Sequence, residues 1–320
     1  MIRSPGSMST PARVGRTVEV WLGCPGRALE WRGFGSSRRD HQCDDLVIDG
    51  GFRLVRRRFP SRPKGITLVD SLDLKTVRTS LEEAVLHVRL ARPETGNALD
   101  EQMLDDLLAV LSHLRTRTDV RVLVLSGEGD SFCLGGDRGE FLRLAAEDPG
   151  GPAVRRIGDK ARSVCEGLAA ADPVTIARVH GRVVGAGLAL AVFCDLRVGD
   201  IETRFRMPEL ALGLPTAWGG AMARLIGEVG AARIRELVLT ADAFDAHTAH
   251  RLSILHQVVP ADELDAAVSR WVKPVVRRPV AALHASKTLM NAYSRSDRLG
   301  DLSMLDGHFL SAFLGAGIAR

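Results

Sequence analysis

Two short segments, residues 131–141 (SFCLGGDRGEF) and residues 180–190 (HGRVVGAGLAL), share one make-up: a strand end, a glycine turn and the approach to a helix. The first turn of a helix leaves main-chain N–H groups unpaired, and glycine lets a ligand come close to them. Neither segment fits the phosphate-cradling G-x-x-x-x-G-K-[ST] pattern, nor G-x-G-x-x-G with a ribose-binding acid. As a pair they suggest two N–H groups converging on one oxygen, which acyl chemistry needs wherever a carbonyl gains negative charge. The helix behind the second turn carries no acid, base or nucleophile before Asp195. No Ser/His/Asp spacing points to a hydrolase.

The elements that must position these turns are legible from about residue 66. The run AVLHVRLAR alternates as a strand does, with Leu86, Val88 and Leu90 on one face. In ALDEQMLDDLLAVLSHLR, Leu99, Met103, Leu107, Val110 and Leu114 recur on the helical period. VRVLVLSG is a nearly continuous apolar run ending in glycine, as expected of a strand buried on both faces. A helix over 154–170, the strand PVTIARVHG and a fourth strand, LRVGD, follow. HQVVP closes the layer, and only helical patterns lie beyond Asp262. Strands alternating with helices, then helices alone, predict an α/β core over 65–260 and a helical region over 261–320.

The first 64 residues differ. They hold clusters of Pro, Gly, Ser and Arg without a sustained period, and read as a disordered basic tail or as leader sequence upstream of the true start. Residues 1–80 carry 15 Lys and Arg against 8 Asp and Glu, whereas the other 240 carry 28 against 31. The net charge of +4 is therefore a property of the front quarter, and no nucleic-acid partner is expected for the main body. Five cysteines (24, 43, 133, 165 and 194) are odd in number and outside any C-x-x-C spacing, which fits a reducing cytoplasm. Nine scattered histidines form no H-E-x-x-H pattern, so no metal is expected. Mean hydropathy of +0.03, without an apolar run of about 18 residues, predicts no membrane span.

The strings RPETGNAL, SFCLGGD, VHGRVVGAGLALAVFCDLRV, FRMPELALGL, WGGA and ELVLTADAFDAHTAHRLSILHQVVP stand in that order. In kind and spacing, over about residues 80–292, they resemble the enoyl-CoA hydratase/isomerase family, the crotonases. The resemblance implies a spiral of ββα units whose helical C-terminal region packs trimers or hexamers. It implies coenzyme A thioesters as substrates, with no further cofactor. It implies an oxyanion hole from the N–H groups of Gly136 and Ala186, the latter at a helix start that favours an enolate. Coenzyme A contacts are expected from the main chain near Arg92–Asn97 and from the 136–139 turn, with Asp137, Arg138 and Gly139.

Hydratases of that family carry two glutamates. One position, three residues beyond the oxyanion residue, is Ala189 here; the other is Glu209. A methyl group neither positions water nor moves a proton. A single base suffices for Δ3-to-Δ2 enoyl isomerisation, in which a proton leaves C2 and returns at C4. The resemblance thus implies an isomerase with Glu209 as proton shuttle, partly desolvated and with a raised pKa. Hydratase-like activity, an enolate-forming decarboxylation and a non-catalytic acyl-CoA-binding protein are the alternatives. Among other residues, Asp137 is expected to pair with its own turn, Glu140 and Glu166 to be helix-surface charges, and His180 to be packed at a strand end. Trp218 narrows the acyl pocket or fills core. Lys287 is expected to be structural, and Arg320 to stand in for a lysine near the coenzyme A phosphate.

Overall fold

In the computed structural model, residues 46–49, 53–56, 72–147, 152–296 and 303–315 are described. The chain divides into two units, Met1–Arg58 and Phe59–Arg320. In the first, β1 (Leu46–Asp49) and β2 (Arg53–Arg56) pair antiparallel, Leu46 opposite Arg56. Four-residue strands are too short for alternation to register in composition, which is why this stretch reads as patternless. The expected boundary at residue 64 falls outside the described residues.

The second unit begins with β3 (Val77–Glu82) and β4 (Val85–Leu90), an antiparallel pair, followed by α1 (Glu101–Leu114). Asp100 caps α1 by accepting from Met103 N at 2.8 Å. Then come β5 (Val122–Gly127), α2 (Arg138–Glu147) and α3 (Pro152–Ala170). The next unit is β6 (Val174–Val179), β7 (Arg182–Val184) and α4 (Ala186–Val192). It is followed by β8 (Leu196–Asp200), β9 (Arg204–Arg206), α5 (Ala221–Val229) and α6 (Ala231–Thr240). β10 (Phe244–Asp245), α7 (Ala246–Arg251) and β11 (Gln257–Val259) close the sheets. α8 (Leu264–Val275), α9 (Val280–Ser296) and α10 (Asp306–Gly315) complete the chain.

The strands form a spiral of ββα units. A six-stranded sheet runs β11-β8-β6-β5-β4-β3, parallel except for its β3–β4 edge, and a three-stranded sheet runs β10-β9-β7. In two successive units the first strand (β6, β8) joins the large sheet and the second (β7, β9) joins the small one. Each of these connections therefore crosses from one sheet to the other.

The centre of the large sheet is buried on both faces, as the apolar run of β5 predicts. Leu123 and Leu125 enter the main core with Met103, Leu107 and Leu168. Val122 and Val124 enter a second cluster with Ile176, Val198 and Leu264 of α8. The helical region after residue 261 belongs to the same compact unit as the sheets. α10 packs back against α3, so closely that a Cβ on Gly158 would lie 2.5 Å from Gly307 Cα. No helix of the described residues is long and apolar enough to cross a membrane.

Candidate functional site

The segment after β5 runs alongside β7, which brings the two glycine turns together. Cys133 and Val183 form an isolated parallel bridge, and Val184 N donates to Cys133 O at 3.0 Å. A Cβ on Gly135 would stand 2.9 Å from Val184 O and 3.5 Å from Ala186 N. Gly136, the next residue, is thus held alongside Ala186. In the hydrogen-bond network of the described residues, neither the Gly136 N–H nor the Ala186 N–H donates to another main-chain group.

The first turn is held by polar contacts. Leu99 N donates to Gly135 O at 2.8 Å and Asp137 N to Leu99 O at 2.9 Å. Asp137 Oδ1 accepts from Glu140 N at 3.1 Å, capping α2, so it pairs with its own turn as expected. Its Oδ2 lies 3.2 Å from Arg92, whose guanidinium also reaches Asp100 at 3.0 Å and Ala98 O at 2.8 Å. Asn97 is fully buried. Its Oδ1 accepts from Arg92 N, and its Nδ2 donates to Glu128 O and Ser131 O, all at 2.8–2.9 Å. The side chain of Asn97 is thus consumed by the loop, and any coenzyme A contact there falls to the main chain. Arg138 and Gly139 stand exposed at the start of α2, and Arg138 lines the cavity beside the turns.

Glu140 departs from the expectation of a solvated surface charge. It is half-buried, and its Oε2 accepts from Glu101 N at 2.9 Å, satisfying an open donor at the start of α1. Burial pushes its pKa up. Glu166 is the surface charge expected, paired with Arg162 on α3. His180 packs at its strand end, its Nε2 2.8 Å from Gly129 O. Lys287 is structural: it donates to Pro173 O at 2.9 Å and pairs with Asp195 at 2.7 Å, while Asp195 accepts from Thr175 N. Arg320 lies outside the described residues.

Glu209 enters from the strand side. β9 ends at Arg206, Met207 and Pro208 follow, and Glu209 opens a 3-10 turn over Leu210–Leu212. Its carboxylate lies against the second turn, since a Cβ on Gly185 would stand 2.7 Å from Glu209 Oε1. Gly185 also has φ +50°, a backbone conformation that strains any residue with a side chain. Burial pushes the Glu209 pKa above the ordinary carboxylate range. A cavity of about 80 Å³ is bounded by Gly136, Phe141, Ala186, Glu209, Trp218 and Leu310 of α10, among others. Ala189 is buried on α4 and lines a smaller adjoining cavity with Glu209. Across the linings of both, Glu209 is the sole carboxylate.

Trp218 both fills core and shapes the pocket. It is 8 % exposed, its ring sits 5.6 Å from that of Phe141, and a Cβ on Gly136 would meet both. Phe141 and Thr216, which also line these cavities, were not singled out from the sequence. Phe141 follows the turn on the buried face of α2, and Thr216 lies two residues before Trp218 in PTAW; nothing in their spacing alone marks them.

Comparison with known proteins agrees with this architecture. Residues 80–314 match the family model described as enoyl-CoA hydratase/isomerase. A protein of Mycolicibacterium paratuberculosis described as "Probable enoyl-CoA hydratase" is 31 % identical over 225 residues, 70 % of this chain and 84 % of that protein. Among solved structures, Pseudomonas aeruginosa AtuE superposes with a TM-score of 0.65 at 30 % identity, covering 73 % of this chain and 92 % of that one. An enoyl-CoA hydratase from Shewanella pealeana gives 0.66 at 25 % identity, covering 75 % and 87 %.

Proposed function

Because the chain belongs to the enoyl-CoA hydratase/isomerase family, we propose that this family enzyme is a Δ3–Δ2 enoyl-CoA isomerase working with one carboxylate. The thioester oxygen accepts from Gly136 N–H and Ala186 N–H. As Glu209 removes a proton from C2, negative charge moves onto that oxygen, where the two preoriented donors stabilise it. Glu209 then returns the proton at C4, and the double bond has moved into conjugation with the carbonyl. The coenzyme A thioester is the substrate, and the scheme draws on no other cofactor.

The observation that supports this reading is the asymmetry of the cavity walls. Glu209 lies against the second turn, and the facing position on α4 is the methyl of Ala189. Hydration adds a hydroxyl and a proton across the double bond, whereas isomerisation moves one proton on one face, a task for one base. The Glu209 pKa, raised by burial, suits a group that both takes and gives a proton. The relatives described as hydratases favour 2-enoyl-CoA hydration as the second reading.

The test is a spectroscopic assay of purified protein on a 3-enoyl-CoA and, separately, a 2-enoyl-CoA, with Glu209→Gln alongside. Conversion of the 3-enoyl ester, at least about 100-fold slower in the variant, is the expected result. Brisk hydration of the 2-enoyl ester instead selects the second reading. Binding without turnover of either ester points to decarboxylation of a malonyl-type thioester or to an acyl-CoA-binding protein without catalysis.

We also propose a trimer or a pair of trimers as the assembled form. Leu289, Met290 and Tyr293 on α9 are 57–73 % exposed, an apolar face suited to a second copy. Light scattering of the eluted protein tests it, and a monomer at micromolar concentration would count against it.

A further inference from the structure

Three buried polar atoms near the site have no hydrogen-bond partner in the described residues: Glu209 Oε2, Thr216 Oγ1 and Trp218 Nε1. All three residues line the smaller cavity beside Ala189, whose other walls are apolar, among them Leu188, Met207 and Leu225. Three buried, unpaired polar atoms on residues that line one small apolar cavity is an expensive arrangement, because each gives up water and gains nothing in return. Their chemistry is complementary. An ionised carboxylate only accepts, an indole N–H only donates, and a hydroxyl does both.

The cavity offers about 10 Å³ to the centre of a water molecule, enough for one. Ala189, with only a methyl group, is one wall of that space. A water placed in it would accept from Trp218 Nε1–H and donate to Glu209 Oε2 and Thr216 Oγ1, within the usual two to four contacts of a buried water. Meanwhile Glu209 Oε1 faces Gly185 and the second turn. One carboxylate oxygen would then be anchored while the other is left for the substrate.

We infer that this cavity is a binding site for a single water molecule, held by Glu209 Oε2, Thr216 Oγ1 and Trp218 Nε1, and that Thr216 and Trp218 position the Glu209 carboxylate through it. The catalytic meaning of this site rests on Glu209 being the base proposed above; the site itself does not. A hydrogen bond donated to the ionised carboxylate favours that form and offsets part of the burial. Trp218 is a positioning residue in this scheme, with an aromatic face towards Phe141 and a polar edge in the water site.

The experiment titrates Glu209 in the ligand-free protein by carbon-13 NMR of labelled glutamate carboxyls, assigned with Glu209→Gln. Wild type is compared with Trp218→Phe, which keeps the ring and removes the N–H, and with the near-isosteric Thr216→Val. The expected result is a titration midpoint raised by about one pH unit in each variant. In the 3-enoyl-CoA assay, the acid limb of kcat moves the same way and KM changes little. An unchanged midpoint in a folded Thr216→Val, or a crystal structure in which Thr216 or Trp218 bonds Glu209 directly with no water between, overturns the inference. A shifted midpoint without turnover of 3-enoyl-CoA leaves the water site standing and removes the isomerase reading. Turnover with an unshifted midpoint does the reverse.

Discussion

The two glycine turns each hold one main-chain N–H without a main-chain acceptor among the described residues, and are built on opposite principles. Gly136 is fixed by charge and hydrogen bonding: Arg92, Asp100 and Asp137 form one cluster, and Asn97 ties three main-chain atoms together. Ala186 is fixed by packing: all seven residues of α4 are buried and apolar or glycine, and Gly185 N donates to Arg206 O. The first turn sits where a chain returns from a long loop and must be pinned in register. The second sits at the mouth of a helix whose own burial places it. One donor should therefore respond to changes in distant polar side chains, and the other only to changes in its own backbone.

The sharpest break of that comparison removes one N–H without disturbing either scaffold. Ala186 is the first residue of α4, where proline is well tolerated because its missing N–H has no partner within the helix. Ala186→Pro is expected to lower kcat for 3-enoyl-CoA by about 100- to 1000-fold, the usual cost of losing an oxyanion donor. The melting temperature should change little. A variant that keeps more than a tenth of wild-type kcat would show that this N–H does not hold the thioester oxygen.

The polar scaffold of the first turn is tested through Asn97, whose φ of +57° asparagine tolerates better than alanine. Asn97→Ala strips the partners from Arg92 N, Glu128 O and Ser131 O in a fully buried place. A loss of about 3 kcal/mol in unfolding free energy is expected, followed by denaturant titration. Activity should fall with it, since Gly136 hangs on the same loop. A loss below about 1 kcal/mol would mean that the loop is held by packing after all, like its neighbour.

The contrast also explains what could be read in the sequence. Packing leaves a pattern: Leu86, Val88 and Leu90 alternate, Met103 to Leu114 follow the helical period, and the apolar run of β5 announces a strand buried twice. The order of elements and both turns follow from such patterns. Polar scaffolding leaves none. Glu140 looks like any charge on a helix, and only the fold sets it 2.9 Å from Glu101 N. Asn97 reaches residues more than 30 positions away, and nothing local marks it as structural rather than ligand-binding. Thr216 is equally silent, because its surroundings come from α4, α5 and the segment after β9. The hairpin of β1 and β2 had a signal, Asp49 followed by two glycines, that composition alone passes over.

The smallest effect concerns the group the two turns serve. Burial holds the Glu209 pKa above the ordinary 4.5, so the native state binds that proton more tightly than the unfolded chain does. Stability from this group is complete below pH 4.5 and is lost as pH rises through the native pKa. Above that pH, wild type carries a buried carboxylate that Glu209→Gln lacks. The variant should melt about 2 °C higher than wild type at pH 7.5, and the gap should close near pH 4. Catalysis would then be bought with stability at one residue of a wall otherwise packed for burial. If wild type melts higher at pH 7.5, the carboxylate is stabilised in its ionised form more strongly than burial opposes it. The site would then be polar on the Glu209 side as it is around Gly136, and the contrast between the turns would stop at α4.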